Sequence, residues 1–200
     1  MKAAIFAFLL CGSALADEAA GLQAMKSGDY ATAFKEFLPL ASAGAAGAQA
    51  YLGLFYGEGL GVQRDYQESV RWYHAAAEQG QVNAQMILAF IYDGSENMAA
   101  YRKTFQVDHT EAVKWYRLAA ERGNTAAQYF LGYDYAQGIG VPQDFIEAHM
   151  WLNLAGANEA ADTVQADSIK LRDFIAGRMT PGQIAEAQRR AREWRPQASR

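Results

Sequence analysis

The stretch Ala48-Gln-Ala-Tyr51-Leu52-Gly53-Leu-Phe55-Tyr56-Gly57-Glu-Gly59-Leu-Gly61-Val62, continuing through Asp65, Glu68, Trp72-Tyr73 and Ala76 to Gly80, decides the fold. Its residue types return as Ala84, Leu88-Ala89-x-x-Tyr92, Asp108, Trp115-Tyr116, Ala119 and Gly123. They return again as Ala127, Leu131-Gly132-x-x-Tyr135, Asp144, Trp151 and Ala155. The period is 36 residues, and the middle copy carries a 7-residue insertion between Tyr92 and Asp108. Recurrence at this period predicts stacked helical hairpins, each too small to bury its own apolar face.

Each copy reads as two helices. Ala48, Leu52, Gly53 and Tyr56 fall at i, i+4, i+5 and i+8, one face of a helix. The small residues admit a close neighbour, and the large ones fill the remaining space. Gly57-Glu58-Gly59-Leu60-Gly61-Val62 matches Gln137-Gly138-Ile139-Gly140-Val141-Pro142 and predicts a tight turn, with Val62 or Val141 tucked onto the hairpin. The second helix opens on Asp65 with Glu68, Asp108 with Glu111, or Asp144 with Glu147. In this pattern the Asp accepts a first-turn N–H and the Glu reaches back. Gly80 and Gly123 end the second helix.

A degenerate copy comes first. Asp29-Tyr30, Ala33, Phe37, Ala41 and Gly44 precede Asp65-Tyr66, Ser69, Tyr73, Ala77 and Gly80 by 36 residues, and its first helix is expected over Asp17–Lys26. At the other end, Glu159 to Arg178 predicts a helix outside the repeat. Thr180-Pro181-Gly182-Gln183 then supplies an N-cap, a first-turn proline and an N3 glutamine for a last, polar helix reaching about Trp194.

The N-terminus reads as an export signal. Met1-Lys2, the apolar Ala3–Leu10 and Ala14-Leu15-Ala16 predict cleavage after Ala16. The apolar run is far below the roughly 20 residues that span a bilayer. Cys11 is the single cysteine and lies within this signal. A lipid-modified cysteine normally follows a small residue, whereas Leu10 precedes this one, so no lipid anchor is expected. The expected mature chain has no cysteine and no disulfide. Residues 17–169 carry 9 basic and 19 acidic residues, whereas 170–200 carry 8 basic and 3 acidic. An acidic body argues against non-specific nucleic-acid binding.

These motifs resemble the Sel-1-like repeat family, a relative of the tetratricopeptide repeats. The shared residues are the A-x-x-x-L-G-x-x-Y helix, the G-x-G-V turn, the D-x-x-x-A-x-x-W-Y helix and the closing A-A-x-x-G. Ser69, Ala89, Leu152 and Glu159 depart from that pattern. The resemblance implies an all-α fold, a right-handed α/α solenoid of stacked helix-turn-helix repeats. The expected divisions are a signal peptide (1–16), a degenerate repeat (17–44), repeats at 45–80, 81–123 and 124–159, and capping helices (160–200). It also implies a non-enzymatic adaptor, exported to the periplasm or beyond, whose partner is an envelope or host protein. The alternative is a regulator of envelope signalling or exopolysaccharide production acting through a membrane partner. A cell-wall or β-lactam hydrolase is the rival. Exported relatives given that role are cysteine-rich with a disulfide in each repeat, which the expected mature chain is not.

The motif is structural, so the resemblance supplies no catalytic or cofactor-binding residues. The Gly57–Gly61 loop lacks the Lys-Ser/Thr of a P-loop, and no strand precedes it. His74, His109 and His149 stand at unrelated repeat positions without metal-ligand spacing, so no metal is expected. Trp72, Trp115 and Trp151 recur in register and are expected in the core. Candidate partner contacts lie where the copies disagree. Tyr51 and Phe55 are one turn apart on a first helix, with Ile87 and Ile91, then Phe130 and Asp134, as counterparts. Each is either a groove contact or inter-repeat packing. The insertion offers Tyr101, Arg102, Lys103 and Phe105, and the basic end offers Arg189 and Arg190 with Arg192 and Arg195.

Overall fold

Three aspartates set the starts of three helices, as their spacing predicts. The computed structural model describes residues 18–157 and 163–197. Asp65 Oδ1 accepts from the N–H groups of Gln67 and Glu68 at 2.9 and 3.1 Å. Asp108 Oδ1 accepts from Glu111 N–H at 3.0 Å, and Asp144 Oδ1 from Ile146 and Glu147 at 2.9 and 3.1 Å. The reciprocal half of the expected cap is absent. The N–H of each cap Asp already donates to the carbonyl of the tyrosine that closes the preceding helix: Asp65 to Tyr56, Asp108 to Tyr92, Asp144 to Tyr135. With that donor used, Glu68 turns to Arg71, Glu111 to Lys114 and Glu147 to Arg190.

Among the described residues the structure is helical, without strands. The helices are α1 (residues 18–26), α2 (Tyr30–Ser42), α3 (Ala46–Glu58), α4 (Tyr66–Glu78), α5 (Val82–Asp93), α6 (His109–Glu121), α7 (Thr125–Gln137), α8 (Phe145–Gly156), α9 (Thr163–Ala176) and α10 (Pro181–Glu193). A 3₁₀ segment, Glu96–Lys103, occupies the insertion. The expected leader with Cys11, and the expected helix start at Glu159, lie outside the described residues. No described helix is long and apolar enough to cross a membrane. Thr180 and Gln183 form the expected capping box on α10, with Pro181 in its first turn.

The chain divides between Ala84 and Gln85 into two compact units. In the first, α2 packs on α3 and α3 on α4. Its core is formed by Ala33, Phe37, Leu40, Ala48, Leu52 and Phe55, with Trp72, and Val62 tucks onto it from the turn as expected. Close helix approach depends on glycine. A Cβ on Gly53 would lie 2.7 Å from the Tyr73 ring, and one on Gly21 would lie 2.9 Å from the Phe37 ring. The degenerate copy thus keeps the same glycine-on-aromatic contact.

In the second unit α6 packs on α7, α7 on α8, and α8 on both α9 and α10. Gly132 repeats the close approach with Leu152, 2.7 Å from where a Cβ would sit. The turn glycines have a further role. Gly140 has φ +66°, and a Cβ there would collide with the His109 carbonyl oxygen at the start of α6. Gly61, at φ +68°, stands in the same way against the Tyr30 carbonyl in the first unit. One recurrent residue escapes the motif reading. Gln49 and Gln128, both buried, donate Nε2 to the carbonyls of Ala41 and Ala120 at 3.2 and 3.3 Å. Each joins the end of one helix to the start of the next and satisfies a terminal carbonyl.

Candidate functional site

Most conspicuous residues are committed to structure. Trp72, Trp115 and Trp151 are buried in the core, as their register predicts. His149 is buried, and its imidazole is held below its ordinary pKa by burial, then by the nearby Arg172 charge. Among the described residues no group of three metal-ligating side chains is placed to hold an ion.

The sequence-derived contact residues divide sharply. Phe55 is 0% exposed and meets the rings of Phe34 and Phe37 at 6.2 and 5.9 Å. It is core packing and offers no contact surface. Tyr51 is half-buried, stacked on Phe37 at 4.5 Å with an interplanar angle of 25°. In the insertion, Tyr101 is 6% exposed and anchors the loop inward. Arg102 donates to the Gly94 carbonyl and lies 3.4 Å from Glu96, which folds the insertion onto itself. Phe105 is half-buried and Lys103 exposed.

Two arginines of the basic end are paired with acids. Arg189 pairs with Glu186 at 2.8 Å and with Glu193 at 2.5 Å. Arg190 bridges Glu186 at 2.8 Å and, across to α8, Glu147 at 2.7 Å. The hydrogen bonds from Arg189 and Arg190 hold the Glu186 carboxyl down at about 2. Arg189 is thus paired within α10, whereas Arg190 ties that helix to α8.

A different site emerges in the second unit. A cavity of about 280 Å³ is lined by Asp93 at the end of α5, His109 at the start of α6, Tyr129, Phe130, Tyr133 and Asp134 on α7, and Ile139 in the following turn. Phe130 stacks on Tyr116 at 5.2 Å and meets Phe90 edge-on at 5.4 Å, so its ring is fixed. His109 Nδ1 lies 3.0 Å from Asp93 Oδ1. Tyr133 remains exposed at the rim.

Asp134 is the unusual member. It is 5% exposed at the position where the other copies place fully covered Phe55 and Ile91, at 0% and 3%. Its backbone carbonyl accepts from Gly138 and Ile139, at 2.7 and 3.0 Å, but no described residue donates to its carboxyl group. Burial, and then the nearby Asp93 charge, push that carboxyl up to about 8. The Tyr116 phenol is raised by the same combination, burial first and then Asp93 and Asp134. The cavity therefore presents one carboxylate beside a carboxyl group that ionises only when a cation or higher pH favours it. Of these residues, sequence reading offered only Phe130 and Asp134 for partner contact, as counterparts of Tyr51 and Phe55; it weighed His109 as a metal ligand alone and Ile139 as part of a turn. The overlooked signal was an acid in a core register.

The comparisons with known proteins agree with this architecture. A family model for the Sel1 repeat matches residues 46–81, 83–124 and 125–159. The crystal structure of a Sel1 repeat protein from Oxalobacter formigenes is similar, with a TM-score of 0.58 and 30% identity over 70% of this chain and 96% of that one. A protective antigen present in uropathogenic Escherichia coli strains and displaying an SLR fold is 23% identical, with a TM-score of 0.48. That match covers 90% of this chain and 45% of the antigen. No curated protein gives a significant match. Sel1 repeats typically mediate protein–protein interaction, and their fold is generally a non-catalytic scaffold. By the three matched repeats and the similar solved structure, the chain belongs to the Sel1 repeat family.

Proposed function

We propose that this protein is an exported, non-enzymatic interaction module of the cell envelope that holds a protein partner on its repeat surface. The observation that carries the reading is the division of labour among the residues. The recurring Trp, Tyr, Gly and Asp serve packing, turns and caps, while α7 turns Tyr129, Tyr133 and Asp134 toward a cavity. A preformed helical surface needs little backbone ordering on binding. Export rests on the sequence of residues 1–16, with the periplasm as the destination and cleavage after Ala16. Acting as a regulator of envelope signalling or polysaccharide export through a membrane partner is one form of this function.

Two measurements test the proposal. Intact-mass analysis of the protein released by osmotic shock should give a chain beginning at Asp17. Recovery of the full-length chain in the cytosol would overturn export. Crosslinking of the tagged full chain in envelope extract should capture a partner that untagged protein displaces. No displaceable partner, or turnover of peptidoglycan or a labelled β-lactam above background, would overturn the module reading.

A further inference from the structure

We infer that the α5–α6–α7 cavity is a recognition pocket for a basic side chain, the ammonium of a lysine or the guanidinium of an arginine on a protein partner. The inference rests on the interaction-module reading and names the chemistry of the partner.

Four observations converge on a cation. The cavity is lined by Asp93 on α5 and Asp134 on α7, and no described residue donates to the Asp134 carboxyl group although it is 5% exposed. An uncompensated buried carboxyl group is costly unless something pairs with it. Elsewhere in the repeats this register is apolar, at Phe55 and Ile91, so the core itself has no use for an acid. The remaining walls are Tyr129, Phe130 and Tyr133, whose ring faces attract cations and whose bodies cover an aliphatic stem. Finally, about 280 Å³ lies at the small end of ligand pockets, which suits one side chain rather than a drug-sized molecule.

The charges around the pocket fit the same occupant. His109 offsets Asp93 only when protonated. Asp93 Oδ1 lies 3.0 Å from that imidazole, and Oδ2 accepts from the Ser95 hydroxyl at 3.4 Å, a long bond to an exchangeable rotor that a guest cation would compete with. A guest cation between Asp93 and Asp134 relieves their mutual repulsion and lets Asp134 ionise. Binding therefore releases a proton near neutral pH.

The test uses the full chain and two capped tripeptides, acetyl-Ala-Lys-Ala-amide and its norleucine isostere, titrated while backbone amide resonances are followed. The lysine peptide should shift the signals of residues 129–134 saturably, with a dissociation constant of about 1 mM. The norleucine peptide should bind about tenfold more weakly, the worth of one charge-assisted hydrogen bond. Asp134→Asn, isosteric and neutral, should cost a similar factor while its spectrum stays dispersed. Asp93→Asn serves as the second variant. 1,5-Diaminopentane separates a free amine from a peptide side chain, and tighter binding by the diamine would overturn the protein-partner assignment.

Equal binding of the two peptides, shifts confined to other residues, or unchanged affinity in both variants would overturn the pocket. A captured envelope partner that Asp134→Asn retains in full would also overturn it, and would leave the module reading standing. Lysine-peptide binding without any displaceable partner would do the opposite.

Discussion

The backbone N–H of Asp108 donates to the carbonyl of Tyr92 at 2.8 Å, although the insertion separates them. The same bond joins Asp65 to Tyr56 at 2.9 Å and Asp144 to Tyr135 at 3.0 Å. The insertion is thus carried outside a closure that stays intact. Because this bond belongs to the backbone, substitution of the aspartate removes only the side-chain cap. Asp108→Ala and Asp144→Ala should each cost about 1 kcal/mol in urea unfolding. A loss above about 3 kcal/mol, outside the range for caps, would show that the closure itself depends on the side chain.

Gly53 lies under the Tyr73 ring, and an added Cβ would sit 2.7 Å from it. Alanine improves helix propensity by about 1 kcal/mol, whereas overpacking costs roughly 1–3 kcal/mol. Gly53→Ala should therefore be destabilising by up to about 2 kcal/mol, against its propensity. Thermal melts of Gly53→Ala alone and with Tyr73→Ala measure it. With the ring removed, the first substitution should lose its cost and keep its propensity gain, through coupling at a shared contact.

The Asp134 carboxyl is pushed up to about 8 from 3.8 by burial and by Asp93. Between those values the folded chain holds a proton that the unfolded chain has released. The contribution of Asp134 to stability therefore falls as pH rises from about 4 through 8. Facing this group are Asp93 from α5, and His109 and Tyr116 from α6. Urea midpoints should drop more between pH 5 and pH 8.5 in the wild type than in Asp134→Asn. Parallel curves for the two proteins would contradict the burial argument. Asp134→Leu, which restores the apolar register of Phe55 and Ile91, should raise stability by about 1–3 kcal/mol at pH 8.

Tyr101 anchors the insertion inward at 6% exposure. Truncating a buried aromatic ring costs roughly 3–5 kcal/mol, but here the loss should stay within the loop. Tyr101→Ala should speed amide exchange over residues 94–107 while the melting midpoint of the first unit is unchanged. Partner capture should also survive, whereas a surface-contact role for Tyr101 would abolish capture and leave exchange unaltered.

Arg190 reaches from α10 to Glu147 on α8, at 2.7 Å. Both side chains remain partly exposed, so Arg190→Met should cost no more than about 1 kcal/mol, and less at high salt. Exchange protection of α10 is the sensitive measurement, since the pair ties that helix down.

Local chemistry made most of the fold legible. Caps, turn glycines and the small-residue face depend on atoms within a few residues of each other. Asp65, Gly80, Gly132 and Thr180 could therefore be read without coordinates. The Glu half of the cap was misread because its competitor, the Tyr56 carbonyl, belongs to the preceding helix. The site was legible only as a set of positions where the copies differ. Tyr51 and Phe55 share a helix one turn apart, yet one is half-buried and the other completely covered. No periodicity separates them, because burial depends on which side chains the neighbouring helix delivers. Asp134 appeared in the sequence as an ordinary variable acid. Its significance arises from α5 and α6, which bring Asp93 and His109 beside it and cover it from much of the water that would keep it ionised. The sequence by itself determined the hairpins and their ends. Tertiary packing alone decided which carboxyl group is desolvated, because desolvation is a property of the surroundings and not of the residue.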